Sequence, residues 1–262
     1  VEGLTVTKER AASPYDTPEL YDRMLDGLDF DQAFWLSVAR GGGGPLLEVA
    51  CGTGRVLTRL LEAGIDADGI DNAPPMLERA RARAAALGKH PALVEADMRE
   101  FSLPRRYARV ICAFNGFAHM LTPDDQIRAL RCMREHLAPG GAAVVFMSYP
   151  RPVYWSQPDG EPVLELEMPL PGGDHRVQMW DTRFKDVTRQ CQRSQMEIRE
   201  IDSGGSAVAS HRSETVQRWV YRYEMELLMR LAGFARSEMQ GGFEGEPFED
   251  PDQPLIAWGW TS

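Results

Sequence analysis

The chain has 262 residues and a formal net charge of −10, with 43% hydrophobic and 26% charged residues. A chain of this length buries a substantial core, as one domain or as one domain carrying an insertion. The acidic balance argues against a nucleic-acid backbone as partner, since such binders present a basic face, and no apolar run approaches the ~20 residues that cross a bilayer.

The amino end begins at Val1 rather than Met and does not resemble a secretion signal. Cys51, Cys112, Cys132 and Cys191 form no C-x-x-C pair and have no histidine in ligand spacing. Neither a metal site nor a disulfide framework is expected, and reduced thiols fit a cytoplasmic protein. Tyr21 and Asp22 stand in a leading helix, and residues 41–44, four glycines, read as a flexible lead into the first strand.

Leu46, Leu47 and Val49 form a strand covered on both faces, with Glu48 inside it. Ala50 and Cys51 lead into Gly52 and Gly54, which allow a tight turn and close approach of a ligand. Cys51 reads as a small residue within the turn rather than a reactive thiol. Val56, Leu57, Leu60 and Leu61 then recur at helical spacing, so the glycines lie between a strand and a helix amino end. Outward-pointing N–H groups at such a place suit a nucleotide-like cofactor. The NAD fingerprint needs a third glycine where this chain has Leu57, and Arg55 after Gly54 excludes the phosphate-loop lysine pattern.

A second strand, residues 67–70, ends in Asp71, 17 residues after Gly54. A carboxylate there suits the hydroxyls of a ribose. A helix over 76–87 follows, on which Arg79, Arg81 and Arg83 spread over a broad solvated arc. Leu93 and Val94 open a third strand that runs into Ala96, Asp97 and Met98. The fourth strand, 110–114, carries Cys112 as core and runs into Asn115, Gly116 and Phe117. Thr122 caps a helix over 124–137, with Pro123 in its first turn and Asp124 and Asp125 at its positive end. His136 complements the negative end of that helix. Residues 138–141 stop the helix and 142–147 return as a fifth strand. This alternation predicts an α/β fold with a mostly parallel sheet, helices on both faces and ligands at the carboxyl ends of the strands.

After residue 150 the alternation fails. Leu164, Leu166 and Met168 alternate with Glu165 and Glu167, and 177–187 and 195–201 are further strands, separated by turns at 169–173 and 203–206. His175 and His211 fall in this stretch and could contribute to an acceptor pocket, with surface positions as the default. A helix over 224–231 and a closing strand at 255–258 complete the core. The expected division is a core with a helical lead over 1–150, an antiparallel β insertion over 151–215 acting as lid or dimer surface, and completion of the core over 216–262.

The pattern E-x-x-x-G-x-G from Glu48 to Gly54, the acidic ends at Asp71 and Asp97, and the HLAPGG run before the fifth strand resemble class I S-adenosylmethionine-dependent methyltransferases. The likeness covers most of residues 46–147 and, more weakly, 221–258. Tyr21-Asp22, the ADMREF run and the inserted strands look closest to small-molecule N-methyltransferases, including amino-sugar dimethyltransferases and glycine-type enzymes. The resemblance implies a Rossmann-like fold and S-adenosyl-L-methionine as cofactor. It carries over Glu48, Gly52 and Gly54 to the methionine end, Asp71 to ribose, and Asp97 with Met98 to adenine. Ala50, Cys51, Arg55, Asn72, Met76, Phe114 and Asn115 complete the cofactor set, with Tyr21 as a cofactor or substrate contact. The [DNS]-P-P-[YFW] motif of DNA and some protein N-methyltransferases is replaced by Asn115-Gly116-Phe117, which moves the reading further from nucleic acid. His119 is the candidate catalytic base beyond the fourth strand, beside the alternative that it lines the loop before Thr122. The expected function is methyl transfer to nitrogen or oxygen of a small molecule, with a homodimer through the insertion and no membrane partner. An NAD-type oxidoreductase and a cofactor-binding protein without transfer activity stand as alternatives.

Overall fold

Burial of the first strand on both faces sets the architecture. β1 (Leu46–Val49) is buried at every position, with Leu46 in one apolar cluster and Leu47 and Val49 in another on the opposite face. It lies inside a seven-stranded sheet, parallel to β2 (Ala67–Asp71) on one side and β4 (Tyr107–Cys112) on the other. β3 (Leu93–Glu95) extends the sheet beyond β2, and β5 (Leu137–Met147) runs parallel beside β4. The computed structural model describes residues 12–25, 27–170 and 174–262. Within them the strand-to-strand links carry α3 (Arg55–Glu62), α4 (Pro74–Ala86) and α5 (Pro123–Glu135). α2 (Gln32–Gly42) precedes β1, the short α6 (Pro152–Ser156) leads into the insertion, and α7 (Arg222–Leu231) follows it. β10 (Arg236–Gln240) and β11 (Leu255–Trp260) finish the sheet, β11 lying antiparallel between β5 and β10.

The strand order reverses on either side of β1, so the carboxyl ends of β1 and β4 diverge and leave a crevice. Opposite it stands a second sheet, an antiparallel meander of β6 (Pro162–Pro169), β7 (Arg176–Asp186), β8 (Cys191–Ile201) and β9 (Ala207–Arg218). The turn expected at 169–173 lies partly outside the described residues.

Several local expectations are corrected. The glycines at 41–44 are no flexible lead: Gly41 and Gly42 close α2 and Gly43 caps it at φ 64°. Added Cβ atoms at Gly42 and Gly44 would come within 2.9 and 3.0 Å of Arg109 and Ala108, so close packing selects glycine. β5 begins at Leu137 rather than 142, because Leu137 already pairs with Tyr107 and an irregularity follows. At Gly141 an added Cβ would meet the Ala138, Ala108 and Tyr107 carbonyl oxygens at 2.9–3.1 Å. β10 gives no alternating apolar signal in the sequence, and its pairing with β11 creates it. Arg79 and Arg83 do not belong to a purely solvated arc, since both bind the buried Asp22 carboxylate of α1 (Pro18–Leu25) at 2.6 and 3.0 Å. His136 is a connector as much as a cap: its Nε2 accepts from the Leu103 N–H at 3.0 Å and its ring packs on Phe101.

The two sheets are joined at the last residue of β9. Arg218 is 5% exposed and donates to Gln126 Oε1 of α5 at 2.9 Å, Gln190 Oε1 at 3.2 Å and Glu224 Oε1 of α7 at 2.6 Å. Truncating it leaves Gln126 Oε1 without its donor and takes the cation from Glu224, which keeps the Gln190 amide at 2.8 Å. Arg218→Ala is expected to lower unfolding free energy by about 1.5–3 kcal/mol, the range for a hydrogen-bonded charged group. Urea denaturation measures this, and a change under 0.5 kcal/mol, on the order of an exposed side chain, removes Arg218 as the link.

Candidate functional site

The carboxyl ends of β1, β2 and β4 open on a cavity of about 1080 Å³ whose opposite wall is the second sheet. Its floor is the turn after β1. Ala50 sits at φ 56° and Gly52 and Gly54 at 54° and 79°, three positive angles within five residues. For alanine this backbone costs about 1–2 kcal/mol, and strain of that kind persists where surrounding bonds over-determine the geometry. Those bonds are visible. The Cys51 N–H donates to the Ile70 carbonyl at 2.9 Å, and the Gly52 N–H donates to Asp71 Oδ2 at 2.7 Å. Phe114 at φ 55° is the corresponding strained residue after β4. Gly116 beyond it packs so tightly that an added Cβ would lie 2.8 Å from Ala50 Cβ.

Electrostatics concentrate here. Glu48 is 3% exposed, its Oε2 has no hydrogen-bond partner, and burial raises its pKa to about 8 against the opposing pull of Arg55. Arg55 itself is held bidentate by buried Asp31 at 2.6 and 2.7 Å. Asp71 Oδ1 accepts from the Ala73 N–H at 2.9 Å, so each Asp71 oxygen already has a backbone donor and keeps lone pairs for another. Burial raises the Asp71 pKa, opposed by those backbone donors. Asp97 is held differently. Arg99 clamps both its oxygens at 2.9 and 2.5 Å, the same guanidinium reaches Asp125, and the Asp97 pKa falls. The Cys51 thiol is pushed well up by burial, which fits a packing role against Gly69 and not a reactive one.

The amino-terminal segment forms the roof. Ser13 and Asp16 make a reciprocal capping box around the short turn Pro14–Asp16. The Ala12 carbonyl accepts from Glu214 N–H of β9 at 2.9 Å, tying this segment to the insertion. Tyr15 is thereby set against the loop after β4, where its hydroxyl meets His119 Nε2 at 2.7 Å. The His119 ring is also bonded to the Val216 backbone, and burial lowers its pKa. With that bond made by Nδ1–H, Nε2 is an acceptor and the Tyr15 hydroxyl donates to it, a tautomer assigned from the network. Burial keeps Tyr15 a phenol and pushes Tyr21, 5.9 Å away ring to ring, up to about 12.

The residues singled out in the sequence line this cavity with two exceptions. Gly54 lies behind the turn as the amino cap of α3, where an added Cβ would touch Ala80 at 3.4 Å. Met76 is fully buried in α4 and is core. Sequence reasoning missed Tyr15 and most of the inner face of the second sheet; His211, read as a surface residue by default with an acceptor pocket as its alternative, lines the cavity. The capping box at Ser13 was readable as a helix start. Which face of the meander turns inward was not.

Residues 46–141 match the family described as a methyltransferase domain. Over 201 residues the chain is 27% identical to the dTDP-3-amino-3,6-dideoxy-α-D-glucopyranose N,N-dimethyltransferase of Streptomyces fradiae, covering 76% of this chain and 73% of that protein. It is 28% identical to the cypemycin N-terminal methyltransferase of a Streptomyces species, over 85% of each. The fold is that of the CcbJ methyltransferase of Streptomyces caelestis, with a TM-score of 0.77 at 24% identity over 95% and 99% of the two chains. Sheet order, strand-end turn and domain match agree, and they remove the oxidoreductase alternative. Residues 46–141 form a methyltransferase domain carried on the class I fold, and over most of its length the chain is similar to proteins named as methyltransferases.

Proposed function

We propose that the enzyme methylates the nitrogen of a small-molecule amine, and that the cavity between the two sheets holds cofactor and acceptor side by side. The observation that carries this reading is the shared chamber: the unpartnered Glu48 carboxylate oxygen and the Tyr15–His119 pair open on the same space. Of the relatives named above, one is by its name an N,N-dimethyltransferase and the other an N-terminal methyltransferase. When bound, S-adenosylmethionine supplies a methyl group already activated on sulfonium, so the protein has chiefly to position the acceptor and exclude water.

The cofactor fits the residues present. The orphaned Glu48 oxygen suits a cationic amine, and the open space beside Gly52 allows backbone approach. Glu48 with the glycine turn would hold the methionine end, Arg55 its carboxylate, and the free lone pairs of Asp71 the ribose hydroxyls. Asp97 and Met98 would border adenine, with Arg99 fixing the Asp97 carboxylate. Ala50, Cys51, Asn72, Phe114 and Asn115 shape the walls. The proton that an attacking amine gives up is taken at the Tyr15 hydroxyl and passed to His119 Nε2, which burial keeps neutral. Residues 151–215 are read as the acceptor cover, and the outer face of their sheet as the surface through which two copies pair in the cytoplasm. Light scattering of the purified protein reads the second point directly.

Asp71→Asn keeps the shape but turns an acceptor into a donor facing Gly52 N–H. Affinity for S-adenosylhomocysteine, measured by calorimetric titration, is expected to fall by about 1.5–3 kcal/mol. Unchanged affinity would take Asp71 out of the cofactor site.

Glu48, with a pKa raised to about 8 by burial, carries its proton at neutral pH in the free enzyme. Its raised pKa favours the folded state below the unfolded carboxylate range, and this contribution is lost as pH rises through about 8. A bound ammonium favours the carboxylate, so cofactor-product binding near neutral pH releases a proton and strengthens, by up to about tenfold per pH unit, as pH approaches 8. Titration in buffers of different ionisation enthalpy reads the proton. Glu48→Gln abolishes the release, and release that persists in that variant assigns it to another group.

His119→Ala is expected to lower kcat by about 10²-fold while cofactor affinity holds. Because burial lowers the His119 pKa, the acid limb of kcat should lie below the ordinary histidine range near 6.5. Equal turnover of variant and parent across pH 6–9, a window of about three units around that value, would reduce His119 to a loop residue.

A further inference from the structure

The antiparallel register turns alternate residues of β7, β8 and β9 toward the cavity. Asp181 of β7, Met196 of β8 and Ser213 of β9 share one cross-strand row on that face. Asp181 and Ser213 are 6% and 5% exposed, and both point polar atoms at the chamber without a protein partner. Asp181 Oδ2 is engaged by Ser194 Oγ at 3.0 Å and Arg183 Nε at 2.8 Å, whereas its Oδ1 accepts from nothing, and Ser213 Oγ is likewise unbonded. His211 Nε2, one pair of residues along β9, is a third buried atom in this condition. Leaving such groups unpaired costs free energy, so their clustering on one wall describes a surface made for a polar ligand.

Charge narrows the ligand. Arg183 also binds Glu165 at 2.7 Å, so with both carboxylates ionised the Glu165–Arg183–Asp181 triad carries one net negative charge. Lys185 is paired with Asp159 at 2.6 Å and Arg218 with Glu224 at 2.6 Å. Arg55 is committed to Asp31. Every lysine and arginine of the cavity wall among the described residues therefore already has its carboxylate. A diphosphate entering this chamber would meet the negative triad and would have to break an existing ion pair for each cation it recruited. A cationic, hydroxyl-bearing molecule meets a free carboxylate oxygen at Asp181 for its cation, and the Ser213 hydroxyl and the unpartnered Trp219 indole N–H for its hydroxyls.

We propose that the acceptor is an unphosphorylated, hydroxylated amine whose polar body is held by Asp181 Oδ1, Ser213 Oγ and His211 Nε2 on the inner face of the second sheet, rather than a sugar nucleotide. This rests on the methyl-transfer reading above and adds the substrate class.

The test uses the full-length enzyme with saturating S-adenosylmethionine and two forms of one amine: dTDP-3-amino-3,6-dideoxy-α-D-glucopyranose and the methyl glycoside of the same sugar, joined by a panel of other unphosphorylated amino glycosides. The unphosphorylated forms are expected to show kcat/KM at least about tenfold above the nucleotide, a difference worth one buried hydrogen bond or more. Asp181→Asn and Ser213→Ala should each raise the KM for the preferred glycoside by about tenfold, with S-adenosylhomocysteine affinity within about twofold of the parent. A packing role alone predicts no KM change for Ser213→Ala, since that hydroxyl has no protein partner to lose. Preference for the nucleotide overturns the proposal. So does an unmoved acceptor KM in both variants, or methylation of no amine by an enzyme that binds S-adenosylhomocysteine. Failure to bind S-adenosylhomocysteine would instead overturn the cofactor assignment itself.

Discussion

The site depends on the bond from the Gly52 N–H to Asp71 Oδ2, 2.7 Å long, which ties the turn after β1 to the tip of β2. Three positive φ angles in five residues are not a conformation the chain adopts unaided, and alanine at one of them adds strain. The carboxylate and the neighbouring Cys51–Ile70 bond hold the turn in place from the next strand. That placement fixes which backbone N–H groups face the crevice and leaves Glu48 buried at its base. The same residue that braces the turn also borders the cavity.

Around that fixed point the two walls differ in how they are built. The core wall comes from parallel strands whose ends are set by sheet hydrogen bonds and close packing, as at Gly116 against Ala50. The facing wall is a two-faced meander, attached to the core by Arg218 and to the amino-terminal segment by the Ala12–Glu214 backbone bond. Tyr15 belongs to that segment, so the Tyr15–His119 contact forms only when roof, insertion and core are all in position. Burial of the chamber and the placement of the Tyr15–His119 pair are thus coupled to the same meeting of elements.

Polar burial distinguishes the two halves of the chamber as well. On the side of the parallel core, buried Asp71 accepts from the Gly52 N–H while buried Glu48 keeps an unpaired oxygen. On the insertion side, the lining arginines and lysine are already engaged by carboxylates, and unpaired oxygens and a ring nitrogen remain. Ion pairs made within the wall leave little positive potential for an incoming anion, because each charge is already compensated at contact distance.

The sequence by itself determined the parallel core, its cofactor-type strand ends and its inserted strands. These features are local: buried apolar runs, glycines that permit positive φ, acidic residues at strand tips and helix caps each leave a signal within a few residues. Glu48, Gly52, Asp71 and Asn115 could be read in that way. Tertiary structure alone decided matters that depend on residues far apart in the chain. The ribose-type carboxylate Asp71 is half occupied by backbone donors, Asp97 is clamped by Arg99, and Met76 turns into the core. The four glycines before β1 are packed rather than loose because Ala108 and Arg109 lie against them. Tyr15 reaches His119 across 104 positions, a distance over which no periodicity carries information. Alternation in β7, β8 and β9 shows two faces but not which one lines the chamber, since both carry polar residues. Docking against the core made that choice, and with it brought Asp181 and Ser213 into the chamber.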